Sequence, residues 1–396
     1  MKKLLVLTAL SAFAMNATAQ KSKVYSAQNY ANEGKLDKAY EVINLALDPA
    51  NKKSAKVIAW PKSYIAKGQV MRSIALTKDK KYNDLKKTIG NPLDASLSSY
   101  ITAAEKDSKN RYSKEIRNAM MLLITDFTNA GANAYNAKDY KGASDAFVNV
   151  LKIENHPVFI GDGQAQVDTI ILYNIAVSSV AAKMYDRAIE YYKLTEETGY
   201  KGEKCALGII NAYKAKNDNA AALEAMQNAF HKYPQDQGIL VELINYYIQS
   251  KNEEGALTYI DKAIESDPKN ASYHFAKGSV YDNLGNPTKA IEAYNKAIEV
   301  KPDFADAYYN LGAVFYNKGV KLLEIANDIP TNQVKKFEAQ KAKANVEFAN
   351  AIPYFEKALD INPKEKATLE NLKNLYYRLN MTDKYQEITK KISELE

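Results

Sequence analysis

The chain has 396 residues, 46% hydrophobic and 26% charged, with a formal net charge of +7, one cysteine and three histidines. A lone Cys205 excludes an internal disulfide, and with His156, His231 and His274 far apart it offers no metal-ligand spacing. The length excludes one ordinary single-core domain and calls for several domains or an elongated repeat array.

The first element is a leader. Lys2 and Lys3, an apolar run from Leu4 to Ala14, and Ala17-Thr18-Ala19 have the form of a secretory signal cleaved before Gln20, so residues 1–19 are assigned to it. The run is shorter than the roughly 20 apolar residues of a spanning helix. No later stretch is long enough, and no cysteine follows the run for lipid attachment. The leader points to export, first to the periplasm, with the exterior and the outer-membrane surface as alternatives. Residues 20–115 then carry 19 Lys and Arg against 10 Asp and Glu. Such a bias steers acidic partners or anionic surfaces. Lys35, Lys52, Lys67 and Lys86 are nevertheless scattered rather than gathered on one face, which reads as a solvated helical surface. Scarce arginine speaks against nucleic-acid recognition.

A pattern of small, aromatic and turn residues appears faintly in residues 20–168. Gly34 and Ala39 belong to one unit, Tyr64, Gly68, Tyr100 and Ala103 to a longer one, and Gly131, Asp139-Tyr140, Ala143 and Phe147 to a third starting near 124. An insertion around residues 156–166 reads as a loop. Its Gly-Asp-Gly lacks the partners of a phosphate or calcium loop. From 169 the pattern sharpens, with Asn174, Ala188 and Tyr192. From 203 it repeats with a period of about 34 residues. The twentieth position holds Ala222, Ala256 and Ala290; the twenty-seventh, Ala229, Ala263 and Ala297; the thirty-second, Pro234, Pro268 and Pro302. Tyr213, Tyr247, Tyr281 and Phe315 share the eleventh, and Gly278 and Gly312 the eighth.

Small residues let two helices approach, aromatics fill the space between hairpins, and proline ends the second helix because it lacks a donor and disfavours helix before it. The next proline is late. One period beyond Pro302 falls on Lys336, and the proline that ends the unit is Pro363. The additional segment, between Gly319 and Ala351, reads as helical on both sides of a break at Ile329-Pro330-Thr331. Both helices of this hairpin are expected to run on by about 13 residues, an arm of roughly 20 Å, with Pro353 inside the second.

These residues resemble the tetratricopeptide repeat, whose period and small, aromatic and proline positions they match. The resemblance implies an all-α, right-handed superhelical solenoid of about nine helix-turn-helix repeats with one extended hairpin. Its parts are degenerate repeats at 20–168, regular ones at 169–304, the elongated hairpin at 305–363 and a capping repeat at 364–396. It also implies a groove lined by the first helices, which places Tyr173, Val177, Leu207, Asn211, Lys214, Val241, Asn245, Ile248, Phe275, Ser279, Asp282, Asn283, Tyr309, Tyr316 and Asn317 on a peptide-binding face. Asparagine amides both donate and accept, so they can hold a peptide main chain without reading its sequence. The family's clamp for an acidic C-terminus is not matched, since Glu242, Ala276 and Asp306 stand at its positions.

No nucleophile motif, paired-histidine zinc motif or phosphate loop is present, and no cofactor is implied. The expectation is therefore a non-enzymatic exported scaffold binding protein or peptide through groove, arm or both. The alternative is a binding module for an anionic envelope polymer, peptidoglycan or polysaccharide, through the basic N-terminal third.

Overall fold

A computed structural model describes residues 20–160 and 168–395. The leader and Gly161-Asp162-Gly163 lie outside the described residues. All regular elements in the described residues are helical. The chain divides into two compact units, Met1–Asn217 and Asp218–Glu396.

The first unit holds α1 (residues 20–32), α2 (Leu36–Ala46), α3 (Ala55–Ile58), α4 (Pro61–Leu76), α5 (Asn83–Ile89), α6 (Pro92–Lys106), α7 (Ser113–Asn136), α8 (Tyr140–Glu154), α9 (Pro157–Ile160), α10 (Thr169–Ala181), α11 (Tyr185–Glu197) and α12 (Gly202–Ala215). The second holds α13 (Asn219–Lys232), α14 (Gln237–Gln249), α15 (Glu253–Ser266), α16 (Ala271–Asn283), α17 (Pro287–Val300), α18 (Ala305–Asn327), α19 (Val334–Ile361), α20 (Lys366–Arg378) and α21 (Thr382–Ser393). Within the units α7–α8, α10–α11, α14–α15, α16–α17, α18–α19 and α20–α21 pack as antiparallel hairpins, and successive hairpins stack, which makes each unit a stretch of α-solenoid.

The hairpin turn is built by the backbone. Lys183, Asn217, Lys251 and Gly285 have φ of 60°, 58°, 54° and 67°, and they recur at the period of the sequence repeat. Each takes the left-handed conformation that ends a first helix. The following residue's N–H then reaches back five residues, as from Asn252 to Tyr247 and from Asn286 to Tyr281, 2.8 and 2.9 Å. This satisfies carbonyls that the helix end would leave open. After three of the four turns that same following residue caps the second helix, as where Asn252 accepts from the Gly255 amide at 3.0 Å and Asn286 from the Lys289 amide at 3.2 Å, whereas Met184 after Lys183 makes no such cap. The prolines act as expected, with α13, α15 and α17 each stopping two residues before Pro234, Pro268 and Pro302.

The hairpins close on glycine. A Cβ built on Gly278 of α16 would lie 2.6 Å from the Tyr294 ring of α17; one on Gly131 of α7 would lie 2.7 Å from Phe147 of α8. Gly68 on α4 receives Tyr100 of α6 in the same way. The small residue thus admits a ring from the partner helix as well as letting two backbones approach. Tyr294 is 1% exposed, so the ring has nowhere to retreat.

The first unit departs from strict periodicity in two places. Residues 77–91, inserted between α4 and α6, bury Tyr82, whose hydroxyl donates to the Gly34 carbonyl and accepts from the Leu36 amide, pinning the α1–α2 turn. α7 begins at Ser113, well before the start near 124 expected from the sequence, and runs 24 residues. Ile116, Met120, Leu123 and Phe127 lie along its buried face.

The long hairpin is present. α18 has 23 residues against 13 in α16, and α19 has 28 against 14 in α17. They turn between Asp328 and Gln333, and Pro353 stands on the exposed side of α19 without ending it. Gly312 faces Phe355 and Gly319 faces Phe348, with Cβ approaches of 3.1 and 2.7 Å. Lys318 pairs with Glu347 at 3.0 Å beside the Gly319–Phe348 rung.

Two stability tests follow. Replacing a mid-helix glycine by alanine should stabilise a helix by roughly 0.5–1 kcal/mol on backbone grounds alone. Gly278→Ala is instead expected to destabilise, by about 1–3 kcal/mol from overpacking against Tyr294. Tyr294→Leu should recover part of that loss, read as a non-additive double-mutant cycle in urea unfolding. The second concerns Glu154, at the end of α8. Its Oε2 has no hydrogen-bond partner, and burial, aided by the Asp168 charge, raises its pKa from 4.5 to about 7. Between those values the folded chain holds the proton more tightly than the unfolded chain. Stability is therefore greatest below pH 4.5 as far as this group is concerned, and falls as pH rises through about 7. Glu154→Gln should flatten this dependence and stabilise the protein at pH 8, by about 1 kcal/mol or less because a half-buried carboxylate is still screened by water. Parallel pH–stability curves for the two proteins would contradict it.

Candidate functional site

First helices bury one stripe against their own second helix and another against the next hairpin, leaving a third to solvent. In the second unit this stripe runs over α14, α16 and α18. Asn245 on α14, Asn283 on α16 and Asn317 on α18 are exposed, and Val241 is 51% exposed. Ile248 is half-buried beside them.

The aromatic candidates have packing partners. Phe275 lies 5.6 Å from the Tyr294 ring and 5.1 Å from Phe304 at the start of the next hairpin. Tyr309 packs on Phe355 at 5.4 Å and accepts a hydrogen bond from the Asn371 side chain at 3.2 Å. Tyr316 packs on Phe348 at 5.5 Å. The Ser279 hydroxyl donates to the Phe275 carbonyl and accepts from Tyr294. Phe275 and Tyr309 join neighbouring hairpins, Ser279 and Tyr316 tie their own hairpin together, and all four offer a ligand only what their half-exposure leaves. Asp282 is half-buried on α16; burial raises its pKa, and the Lys321 ammonium on α18 offsets part of the rise. The floor of this stripe thus carries an acid and a base on successive first helices.

The other five candidates lie in the first unit. Tyr173 contacts the rings of Tyr192 and Tyr200, and the Lys201 ammonium sits 4.1 Å above it. Val177 and Leu207 are half-buried; Asn211 and Lys214 on α12 are exposed.

The first helices nearer the N-terminus carry an equivalent face that the degenerate repeats concealed. The Gln28 amide on α1 donates to Gln69 on α4 at 3.1 Å, and Gln69 donates back to Asn32 at 2.9 Å. Further along α4, Arg72 forms a two-pronged ion pair with Asp126 of α7. Met121 and Leu122 on α7 are 50% and 53% exposed. The polar residues at 28, 32 and 69 are spaced as a helical face, but only their contacts show that they belong together.

A cleft of about 470 Å³ opens between α4, α6, α7 and α8 and is lined by Asp94, Asp126, Asp139 and Asp145. Each is already engaged. Asp126 pairs with Arg72; Asp145 pairs with Arg187 at 2.6 Å and with Lys141. Asp139 caps α8. Asp94 accepts from Asn91 and Asn149, at 2.8 and 2.9 Å. Among the described residues no group of three or more His, Cys, Asp or Glu could hold a metal ion, and no helix is long and apolar enough to cross a membrane.

Sequence models of one repeat family match three stretches: residues 213–279 and 347–365, described as "Tetratricopeptide repeat", and 283–319, described as "TPR repeat". No curated protein matches the chain. Among solved structures, a TPR repeats protein from Bacteroides fragilis is 23% identical, covering 64% of this chain and 98% of its own, with a TM-score of 0.34. YrrB, a TPR protein with an unusual peptide-binding site, is 20% identical over 51% of this chain and 91% of its own, TM-score 0.33. MamA from Desulfovibrio magneticus is 16% identical over 50% and 97%, TM-score 0.33.

The one titratable pair on the stripe allows a check that needs no partner. The Asp282 carboxyl should titrate above an ordinary aspartate in a carboxyl-carbon NMR titration. Lys321→Met should move it higher still, because it removes the opposing charge and leaves the burial. An Asp282 pKa that ignores Lys321 would mean that the exposed stripes of α16 and α18 do not meet.

Proposed function

We propose that this tetratricopeptide repeat protein is an exported, non-catalytic scaffold of the cell envelope that holds a protein or peptide partner on its first-helix stripe, with the α18–α19 arm as a second contact. The observation that carries the reading is the row formed by Val241, Asn245, Asn283 and Asn317. Each of their helices buries its other faces in packing, yet these side chains stay open to water. An amide row pairs with peptide N–H and C=O groups, and an exposed valine among amides adds an apolar contact that excludes water.

Export rests on the leader sequence, and the envelope location on the same segment. The mode is helix-lined recognition of an extended or helical segment, in which a shallow face holds main chain and depends little on side-chain identity. The carboxylates of the first unit's cleft are consumed by arginine, lysine, asparagine and backbone partners, which leaves none poised as a general base and supports the non-catalytic assignment.

A photo-crosslinking residue at Asn245 or Asn283, introduced one at a time into the protein in intact cells, should trap the same partner. One at Lys262, on the second-helix side of the same repeats, should trap none. Changing Asn245, Asn283 and Asn317 together to alanine should reduce recovery of that partner at least about tenfold, since each lost main-chain hydrogen bond is worth roughly 0.5–1.5 kcal/mol. Equal trapping from both sides, or unchanged recovery by the threefold variant, would remove the stripe from the account.

A further inference from the structure

Three segments distant in sequence meet at Trp60. The Trp60 indole N–H donates to the Tyr112 hydroxyl at 3.1 Å, which joins the turn before α4 to the turn before α7. Tyr25 of α1 packs edge-on to Trp60 with ring centroids 5.9 Å apart. The start of α1, residues 51–62 and residues 106–114 therefore form one edge of the first unit. Residues 20–25, 51–62 and 106–114 together contain ten lysines and arginines and a single carboxylate.

That carboxylate, Asp107, is 5% exposed and turned inward, where it accepts from the backbone amides of Arg111 and Tyr112 at 3.0 and 2.6 Å. It neutralises little of the surface. Among the described residues none of Lys21, Lys53, Lys62, Lys109 or Arg111 has a carboxylate within 4.0 Å. Two of the ammonium groups rest on rings instead: Lys21 lies 5.0 Å from the Trp60 ring and Lys62 5.6 Å from Tyr25. Elsewhere in the same unit cations find acids, as Arg72, Lys141 and Arg187 do. The edge is distinct in gathering these five cations around an indole and a tyrosine that is 47% exposed.

We infer that this edge docks the protein on an anionic phospholipid bilayer, with the lysines and arginines on the headgroups and Trp60 and Tyr25 at the headgroup boundary. Charge is the first argument. Each Lys or Arg held near an anionic membrane contributes a favourable interaction that acts within a Debye length, so ten gathered on one side act together. The residue types are the second, since Trp and Tyr settle where an apolar ring meets a polar layer, and lysine flanks them there. This inference is independent of the groove reading.

The chain contains one tryptophan, which makes Trp60 a built-in reporter. Protein beginning at Gln20 should co-sediment with vesicles of equal parts phosphatidylglycerol and phosphatidylcholine, more tightly than with phosphatidylcholine alone, and its emission should shift to the blue on binding. Binding should weaken as salt is added. Lys21, Lys53 and Lys109 are exposed, so the combined variant K21E, K53E, K109E should fold normally and lose about 100-fold in affinity for the anionic vesicles. The variant K335E, K336E, K343E on the arm carries the same change in net charge and should bind as the parent does. Equal binding to both vesicle types, an unmoved emission spectrum, or equal losses in the two variants would overturn the inference. So would soluble polygalacturonate binding this edge as tightly as the vesicles, which would make an anionic polysaccharide the occupant.

Discussion

The seating of an aromatic ring on a glycine of the facing helix decides much of what else this protein can be. Helices bearing side chains on both sides of a contact stand about 8–10 Å apart. Where Gly278 receives Tyr294, or Gly131 receives Phe147, the ring occupies the space a Cβ would need. The ring is therefore locked and the two helices have one register. A hairpin fixed in this way turns the same stripe outward in every copy, and the exposure of Asn245, Asn283 and Asn317 is a consequence of that register. The exceptions support the logic. In the α14–α15 hairpin the roles are exchanged, with Gly255 on the second helix and Tyr247 on the first. Gly208 on α12 receives Tyr192 from the preceding hairpin, so the same contact also joins neighbours.

Side chains that repeat could be read directly from the chain. The alanines at the twentieth and twenty-seventh positions, the prolines and the late Pro363 gave the helix boundaries and the long hairpin, because each acts through its own size or its missing donor. The turn was hidden for the opposite reason. Lys183, Asn217, Lys251 and Gly285 share a backbone conformation and no side-chain chemistry. The capping residues Asp218, Asn252 and Asn286 follow them at the same period, and a search for Asp or Asn before each second helix would have found the turn. The early start of α7 was concealed because the repeat pattern begins at Gly131, while the residues ahead of it are held by an apolar face with no family signature.

The candidate stripe was legible only as positions. Placing fifteen residues on first helices was a matter of counting, but counting does not distinguish a ring open to a ligand from one wedged against Phe304 or Phe355. Phe275, Tyr309 and Tyr316 serve mainly as mortar. The amides, which gain nothing by burial, are what the stripe leaves exposed. The basic edge was harder still. Its ten cations lie in three segments far apart along the chain, and in sequence they look dispersed, Lys52 among them. They become one surface only through the Trp60–Tyr112 hydrogen bond and the Tyr25–Trp60 contact, which no local pattern encodes.

The long hairpin shows where the ring-and-glycine scheme stops. Gly312 and Gly319 stand seven residues apart, as do their partners Phe355 and Phe348, so the two rungs follow one seam of an antiparallel pair. Seven residues further along α18 comes Ala326, which is fully buried, but seven residues back along α19 comes Lys341, whose ammonium lies 5.8 Å from the Phe337 ring. No ring is available to close a third rung. Past the last ring rung Ala326 and Ala344 are still fully buried, while Ile325 and Val334 are 53% and 61% exposed. The outer part of the arm thus packs through small residues and presents apolar side chains to solvent, which makes it a surface suited to contacts with something other than its own chain.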